Sequence, residues 1–192
     1  WRHIPLYFFL IGAGVLAGLS VGCRPKAPAP AGDRITAVTA IDPIGAMLKQ
    51  LGGDRLAVTV LVPPGQAAET WQVLPRQMEA ISSARYYFYL GLPFEEKLVD
   101  QLPELCPKVK VVDLREGVPL LSVADHAHDH ASEKGNEAHG SQDPHIWLDP
   151  LRMKILVERM KTALVEADAP HREAYQGAAK ALGEKLEALH QR

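Results

Sequence analysis

Hydrophobic and polar positions alternate between two periods along most of this chain. Arg34–Ala40 (RITAVTA) reads as a strand. Asp42-Pro43 then reads as a helix start, Asp as N-cap and Pro at the first helical position. Ile44, Met47, Leu48 and Leu51 recur at helical spacing, and Gly52-Gly53 stops the run. Arg55–Val62 (RLAVTVLV) predicts a second strand, Pro63–Leu74 a loop, and Pro75 a helix carrying Met78 and Ile81. Tyr86–Leu90 (YYFYL) has no polar alternation, so it predicts a strand covered on both faces. A stripe of Phe94, Leu98, Leu102 and Leu105 predicts a helix, and Lys108–Leu114 (KVKVVDL) a fourth strand. The order β-α-β-α-β-α-β predicts an α/β fold: a parallel four-stranded sheet flanked by helices, with right-handed crossovers.

Ligands of such sheets bind beyond the carboxyl ends of the strands. The segments that emerge there are Ile41-Asp42, Pro63–Leu74, Gly91–Glu95 and Gly117–Asp149. Two further helices follow. Asp149-Pro150 repeats the cap-plus-proline opening ahead of a stripe of Leu151, Ile155, Leu156, Met160 and Leu164. Asp168-Ala169-Pro170 opens the last helix, with Tyr175, Ala178, Leu182, Leu186 and Leu189 as its stripe. That pattern runs unchanged to Arg192, so more polypeptide is expected beyond it.

The first residues follow a different rule. A positive start (Arg2, His3) precedes the apolar run Ile4–Leu19, which is short for a membrane span. Leu19-Ser20-Val21-Gly22-Cys23 resembles the lipobox of bacterial lipoproteins, in which the cysteine is lipidated and becomes the mature N-terminus. Residues 1–23 are therefore expected to be a lipoprotein signal peptide, with Ser20 where a larger aliphatic residue is usual. An ordinary signal peptide or N-terminal membrane anchor is the alternative. Residues 24–33, rich in Pro and Ala, suit a flexible tether. Lipidation of Cys23 would leave Cys106 alone of the two cysteines, so no disulfide framework is expected. Cys106, beside Leu102 and Leu105, reads as a small core residue.

Composition narrows the functional classes. The charge is balanced, 21 Lys+Arg against 23 Asp+Glu, with no basic run that would suit nucleic acid. Five of the eight histidines fall in one stretch, Asp125–Pro150: His126, His128, His130, His139 and His145. Neutral imidazole is a common ligand for Zn²⁺ and its neighbours, and a tract dense in it reads as a metal-collecting segment, or else as a solvated polar loop. His126-x-His128-x-His130 can wrap one ion with help from Asp125 or Asp129. Chelation would order a mobile segment, so affinity there is expected to be modest. A metal-dependent hydrolase would need an open coordination position and a general base. The chain has no HExxH, no nucleophile elbow and no His/Asp cluster suited to two metals, so no enzyme is expected.

Four motifs occur in a telling order: Val62-Pro63-Pro64-Gly65, Pro75-Arg76-Gln77-Met78, Gly91-Leu92-Pro93-Phe94-Glu95 and Asp143-Pro144-His145-Ile146-Trp147-Leu148-Asp149-Pro150. From about Arg34 onward the chain resembles the N-terminal lobe of the metal-binding solute receptors of bacterial ABC importers. Those are the zinc-uptake lipoproteins and their manganese- and iron-binding relatives. The resemblance implies two α/β lobes joined by a stiff connector helix, with one metal between them. Residues 34–167 would then be the N-terminal metal-binding lobe, with a His-rich loop at 125–142, and residues 168–192 the start of the connector. His145 is implied as a metal ligand, or as a histidine hydrogen-bonded near the surface. Asp149 is implied as a helix cap. The family has a second His shortly after the Pro-Gly; this chain has Glu69 there. As a ligand, Glu69 makes the site harder and weakens discrimination against Mn²⁺ and Fe²⁺; otherwise it is a solvated loop residue. The other ligands would come from a second lobe. Glu95 lies near the expected cleft mouth, while Trp71, Trp147 and Phe94 read as core or cleft wall.

The implied function is extracytoplasmic capture of Zn²⁺, with Mn²⁺ or Fe²⁺ as alternatives, for an ABC permease. The protein would be a membrane-anchored monomer, periplasmic or at the cell surface. The histidine-rich insertion points to the zinc branch. An adhesin or a zinc-buffering lipoprotein on the same fold is the other reading.

Overall fold

The computed structural model describes residues 34–121 and 143–192. The expected signal peptide, Cys23 and tether lie outside the described residues. So do His126, His128, His130 and His139. Four strands, β1 (Ile35–Thr39), β2 (Leu56–Val60), β3 (Tyr86–Tyr89) and β4 (Lys110–Asp113), form one parallel sheet in the order β2-β1-β3-β4. Five α-helices accompany it: α1 (Asp42–Gly52), α2 (Pro75–Ser83), α3 (Pro93–Leu105), α4 (Pro150–Ala167) and α5 (Arg172–His190). None is long and apolar enough to cross a membrane.

Alternation along the strands divides the core in two. Ile35, Ala37, Tyr86, Phe88 and Val112 face one layer with Ile44 and Leu48 of α1, Leu156 and Met160 of α4, and Tyr175 and Leu182 of α5. Val38, Tyr87 and Tyr89 face the other, with Ile81 of α2 and Leu98 and Leu102 of α3. All four residues of β3 are buried, as expected of a central strand covered on both sides. Cys106 is buried in the second layer and unpaired.

Two helix starts differ from the sequence reading. Gly45 N donates to Ile41 O (3.1 Å), so Ile41 is the N-cap of α1 and Asp42 its first residue. Asp168 does not cap the last helix with its side chain. A 3₁₀ turn, Ala169–His171, comes first and α5 begins at Arg172. The Asp168 carboxylate instead accepts from Arg55 Nε (2.6 Å), Tyr175 OH (2.7 Å) and His171 Nδ1 (2.8 Å). Burial opposes its charge, but those hydrogen bonds outweigh burial and hold its pKa at about 2. They tie β2's entry to the α4–α5 corner. Asp149 does cap α4, accepting from Leu151 N (2.8 Å) and Arg152 N (3.2 Å).

Candidate metal site

The two ligand candidates among the described residues come from opposite edges of the sheet. Glu69 lies on the loop after edge strand β2, and His145 follows edge strand β4 in the chain. Both loops run inward over the carboxyl ends of the strands, and His145 Nε2 comes within 3.7 Å of Glu69 Oε1. That separation is too long for a direct hydrogen bond. Two donors on one tetrahedral Zn²⁺, each about 2.1 Å from the ion, lie roughly 3.4 Å apart. The pair is therefore spaced for a shared ion. Both side chains are about half exposed, at 43% and 54%, so an ion reaches them from solvent.

Each loop is held by its own turns. Gly65 adopts φ 80°, a left-handed conformation natural to glycine. Gln66 N donates to Pro63 O (3.2 Å) and Trp71 N to Ala68 O (3.3 Å), bracketing Glu69. Gln77 of α2 reaches back: its Oε1 accepts from Leu74 N (3.0 Å) and its Nε2 donates to Leu61 O (2.5 Å). His145 is the residue before a 3₁₀ turn, Ile146–Leu148, anchored by fully buried Ile146. Trp147 packs against the imidazole, ring centroids 5.0 Å apart.

Asp143 orients the imidazole, a role not read from the sequence. Its Oδ1 accepts from His145 N (2.9 Å) and lies 2.7 Å from His145 Nδ1. A carboxylate only accepts, so Nδ1 carries the proton, and in the neutral ring Nε2 is the lone-pair donor facing Glu69. The same hydrogen bonds, from the His145 backbone first and its ring second, hold Asp143 below the usual carboxylate range. An acid two residues before a histidine is the local sign of such an Asx turn. Asp143 N also donates to Leu121 O (2.9 Å), so the chain leaves and re-enters the described fold at one point, two residues from His145.

Glu95 corrects a sequence expectation. It is fully buried rather than at the cleft mouth. Its carboxyl accepts from Tyr87 OH (2.8 Å), Leu90 N (3.2 Å) and Leu92 N (3.0 Å), pinning the turn after β3. Burial pushes its pKa up to about 7 against those hydrogen bonds. Beside Glu69 an open groove of about 900 Å³ is walled by Trp71, Val73, Met78, Phe94 and Leu98. Trp71 lines this groove and also packs against the core layer that holds α1 and α4. Among the described residues no group of three or more His, Cys, Asp and Glu side chains is arranged to enclose an ion. Two candidate ligands, Glu69 and His145, are what this region offers.

Comparison with known proteins bears on the family and the fold. The model of the family "zinc-uptake complex component A, periplasmic" matches residues 37–192. The manganese-binding lipoprotein MntA of Halalkalibacterium halodurans is 27% identical over 185 residues, 96% of this chain and 57% of the relative. An iron ABC transporter substrate-binding lipoprotein, MtsA of Streptococcus pyogenes serotype M1, is 28% identical over 187 residues, 94% of this chain and 57% of the relative. A crystal structure of ZnuA superposes with a TM-score of 0.72 at 31% identity, covering 83% of this chain and 58% of that one. The chain thus spans somewhat more than half the length of the relatives it matches.

Proposed function

The chain belongs to the family of zinc-uptake complex component A, and from that premise we propose that it captures a divalent transition metal, Zn²⁺ first, outside the cytoplasm and presents it to an ABC permease. The observation that carries the reading is the 3.7 Å approach of Glu69 to His145, with the imidazole turned toward it by Asp143. The metal is cargo, and nothing in the site transforms it. Nε2 of His145 and a carboxylate oxygen of Glu69 supply two donors. Polypeptide beyond Arg192 supplies the rest, as the length of the relatives supports. Names such as lipoprotein among those relatives support the membrane-anchored placement read from Cys23.

Isothermal titration of the full-length protein with Zn²⁺ tests the reading. One tight event is expected, and His145→Ala should abolish it. Persistence of that event in the variant would remove His145 from the site.

A manganese or iron receptor is the second reading, and Glu69 favours it. A carboxylate where the family has an imidazole suits harder ions. In competition titrations, Glu69→His should raise preference for Zn²⁺ over Mn²⁺ by tenfold or so, taking roughly 1.4 kcal/mol per tenfold as the scale of one ligand exchange. An unchanged ratio would mean that Glu69 does not set selectivity.

A further inference from the structure

Every strand of the sheet is entered through a cation. Arg34 precedes β1, Arg55 precedes β2, Arg85 precedes β3, and β4 begins at Lys110, two residues after Lys108. All strands are parallel, so these residues share one edge, opposite the metal site. Pairing of Ile35 with Leu56 sets Arg34 level with Arg55. Arg85 N donates to Thr36 O (2.9 Å), and Lys110 N to Arg85 O (3.0 Å). The row along the edge therefore runs Arg55, Arg34, Arg85, Lys110. Arg34, Thr36, Arg55 and Arg85 line a cavity of about 310 Å³ there, together with Asp168.

Carboxylates answer only part of this charge. Asp168 pairs with Arg55 (2.6 Å) and Glu166 with Lys110 (2.5 Å), while in the chain Asp54 adjoins Arg55 and Asp33 adjoins Arg34. Arg34 and Arg85 pair with no carboxylate among the described residues; the Arg85 guanidinium lies 5.8 Å from the Tyr86 ring centre. The chain as a whole carries −2, so the row runs against the net charge.

We propose that this amino edge is a docking face for the anionic headgroups of a bilayer. Its position carries the argument. Residues 1–33 join the fold at Arg34, so covalent continuity brings any N-terminal anchor to this edge. The row of guanidiniums there matches phosphate geometry. The five residues of β1, at about 3.3 Å each, then stand the candidate metal site roughly 17 Å further out, open to solvent, so the docked state is one of capture and the chain leaves the headgroups to meet a permease. The inference takes its context from the membrane-tethered reading, but vesicle binding needs neither metal nor permease, so either can fail without the other.

The test uses the chain truncated to begin at Arg24, which keeps every described residue and lacks Cys23 and any acyl anchor on it. It is floated with vesicles of phosphatidylcholine alone or mixed with phosphatidylglycerol. Binding to the mixed vesicles is expected, weakening as salt rises. Arg34→Gln and Arg85→Gln should each lower the partition coefficient about fivefold, the factor for about 1 kcal/mol per cation near a charged surface. Lys180→Gln, on exposed α5, should leave it unchanged, and all three variants should keep the parent's thermal unfolding midpoint. Equal partition onto neutral vesicles, or arginine variants that bind like the parent, would overturn the proposal. So would saturable binding of inorganic phosphate that displaces the vesicles, because the cavity would then be a site for a free anion.

Discussion

His145 presents one nitrogen because Asp143 occupies the other, and in the proposed site that division sets which nitrogen would meet the metal. Loss of Asp143 frees the ring to rotate and removes the bias toward the Nε2 donor. Asp143→Ala should therefore weaken Zn²⁺ binding about 10- to 100-fold, the usual cost of removing a carboxylate behind a ligating histidine. Titration calorimetry on the full-length protein reads this directly, and an unchanged affinity would show that the hydrogen bond has no part in binding. Glu69 and His145 were legible as candidates from the motifs around them. Asp143 was legible only as part of a motif, because its role follows from turn geometry and not from residue type. Glu95 was misplaced for a related reason. An acid beside a proline-led helix start looks exposed until packing of α3 against β3 buries it.

At the level of elements, hydrophobic period located all four strands and all five helices to within a few residues. The misjudged boundaries were those decided by local hydrogen bonding, one backbone bond at Ile41 and a side-chain cluster with a 3₁₀ turn at Asp168. Gly177 and Gly183 lie inside α5 without ending it, since burial of Tyr175, Ala179 and Leu182 holds the helix against the fold. Asp149 was read correctly as a cap, and Asp149→Ala should lower the urea unfolding midpoint, with little direct effect on metal binding. The turn after β3 carries a pH dependence. Glu95 has a folded pKa of about 7, above the ordinary carboxyl value of 4.5, so the fold holds a proton there that the unfolded chain releases. Its contribution therefore falls as pH rises from about 4.5 to about 7. The urea midpoint of the parent should drop between about pH 5 and about pH 8 more than that of Glu95→Gln. Identical slopes for the two proteins would mean that Glu95 is ionised throughout.

For the whole molecule, Leu121 and Asp143 meet at a hydrogen bond, so the histidine-rich segment joins the fold through a closed neck beside the cleft. Deleting Asp125–Ser141 leaves four residues, Ser122, Val123, Ala124 and Gln142, to span that neck, which is enough for a short loop. The deletion should remove weak Zn²⁺ binding events and leave the tight one; loss of the tight event would contradict a division of labour between tract and cleft. The α/β architecture was readable because a parallel sheet imposes strong periodicity. The meeting of two edge-strand loops over the sheet was not, since it depends on strand order β2-β1-β3-β4, which periodicity does not encode.

The central claim is that Glu69 and His145 grip the same ion. A double-mutant cycle on Zn²⁺ affinity in the full-length protein tests it most directly, using Glu69→Ala, His145→Ala and the pair. Shared coordination predicts a large loss for each single variant and a combined loss that departs from their sum by at least about 0.5 kcal/mol. Simple additivity, or an affinity that ignores either substitution, would contradict it.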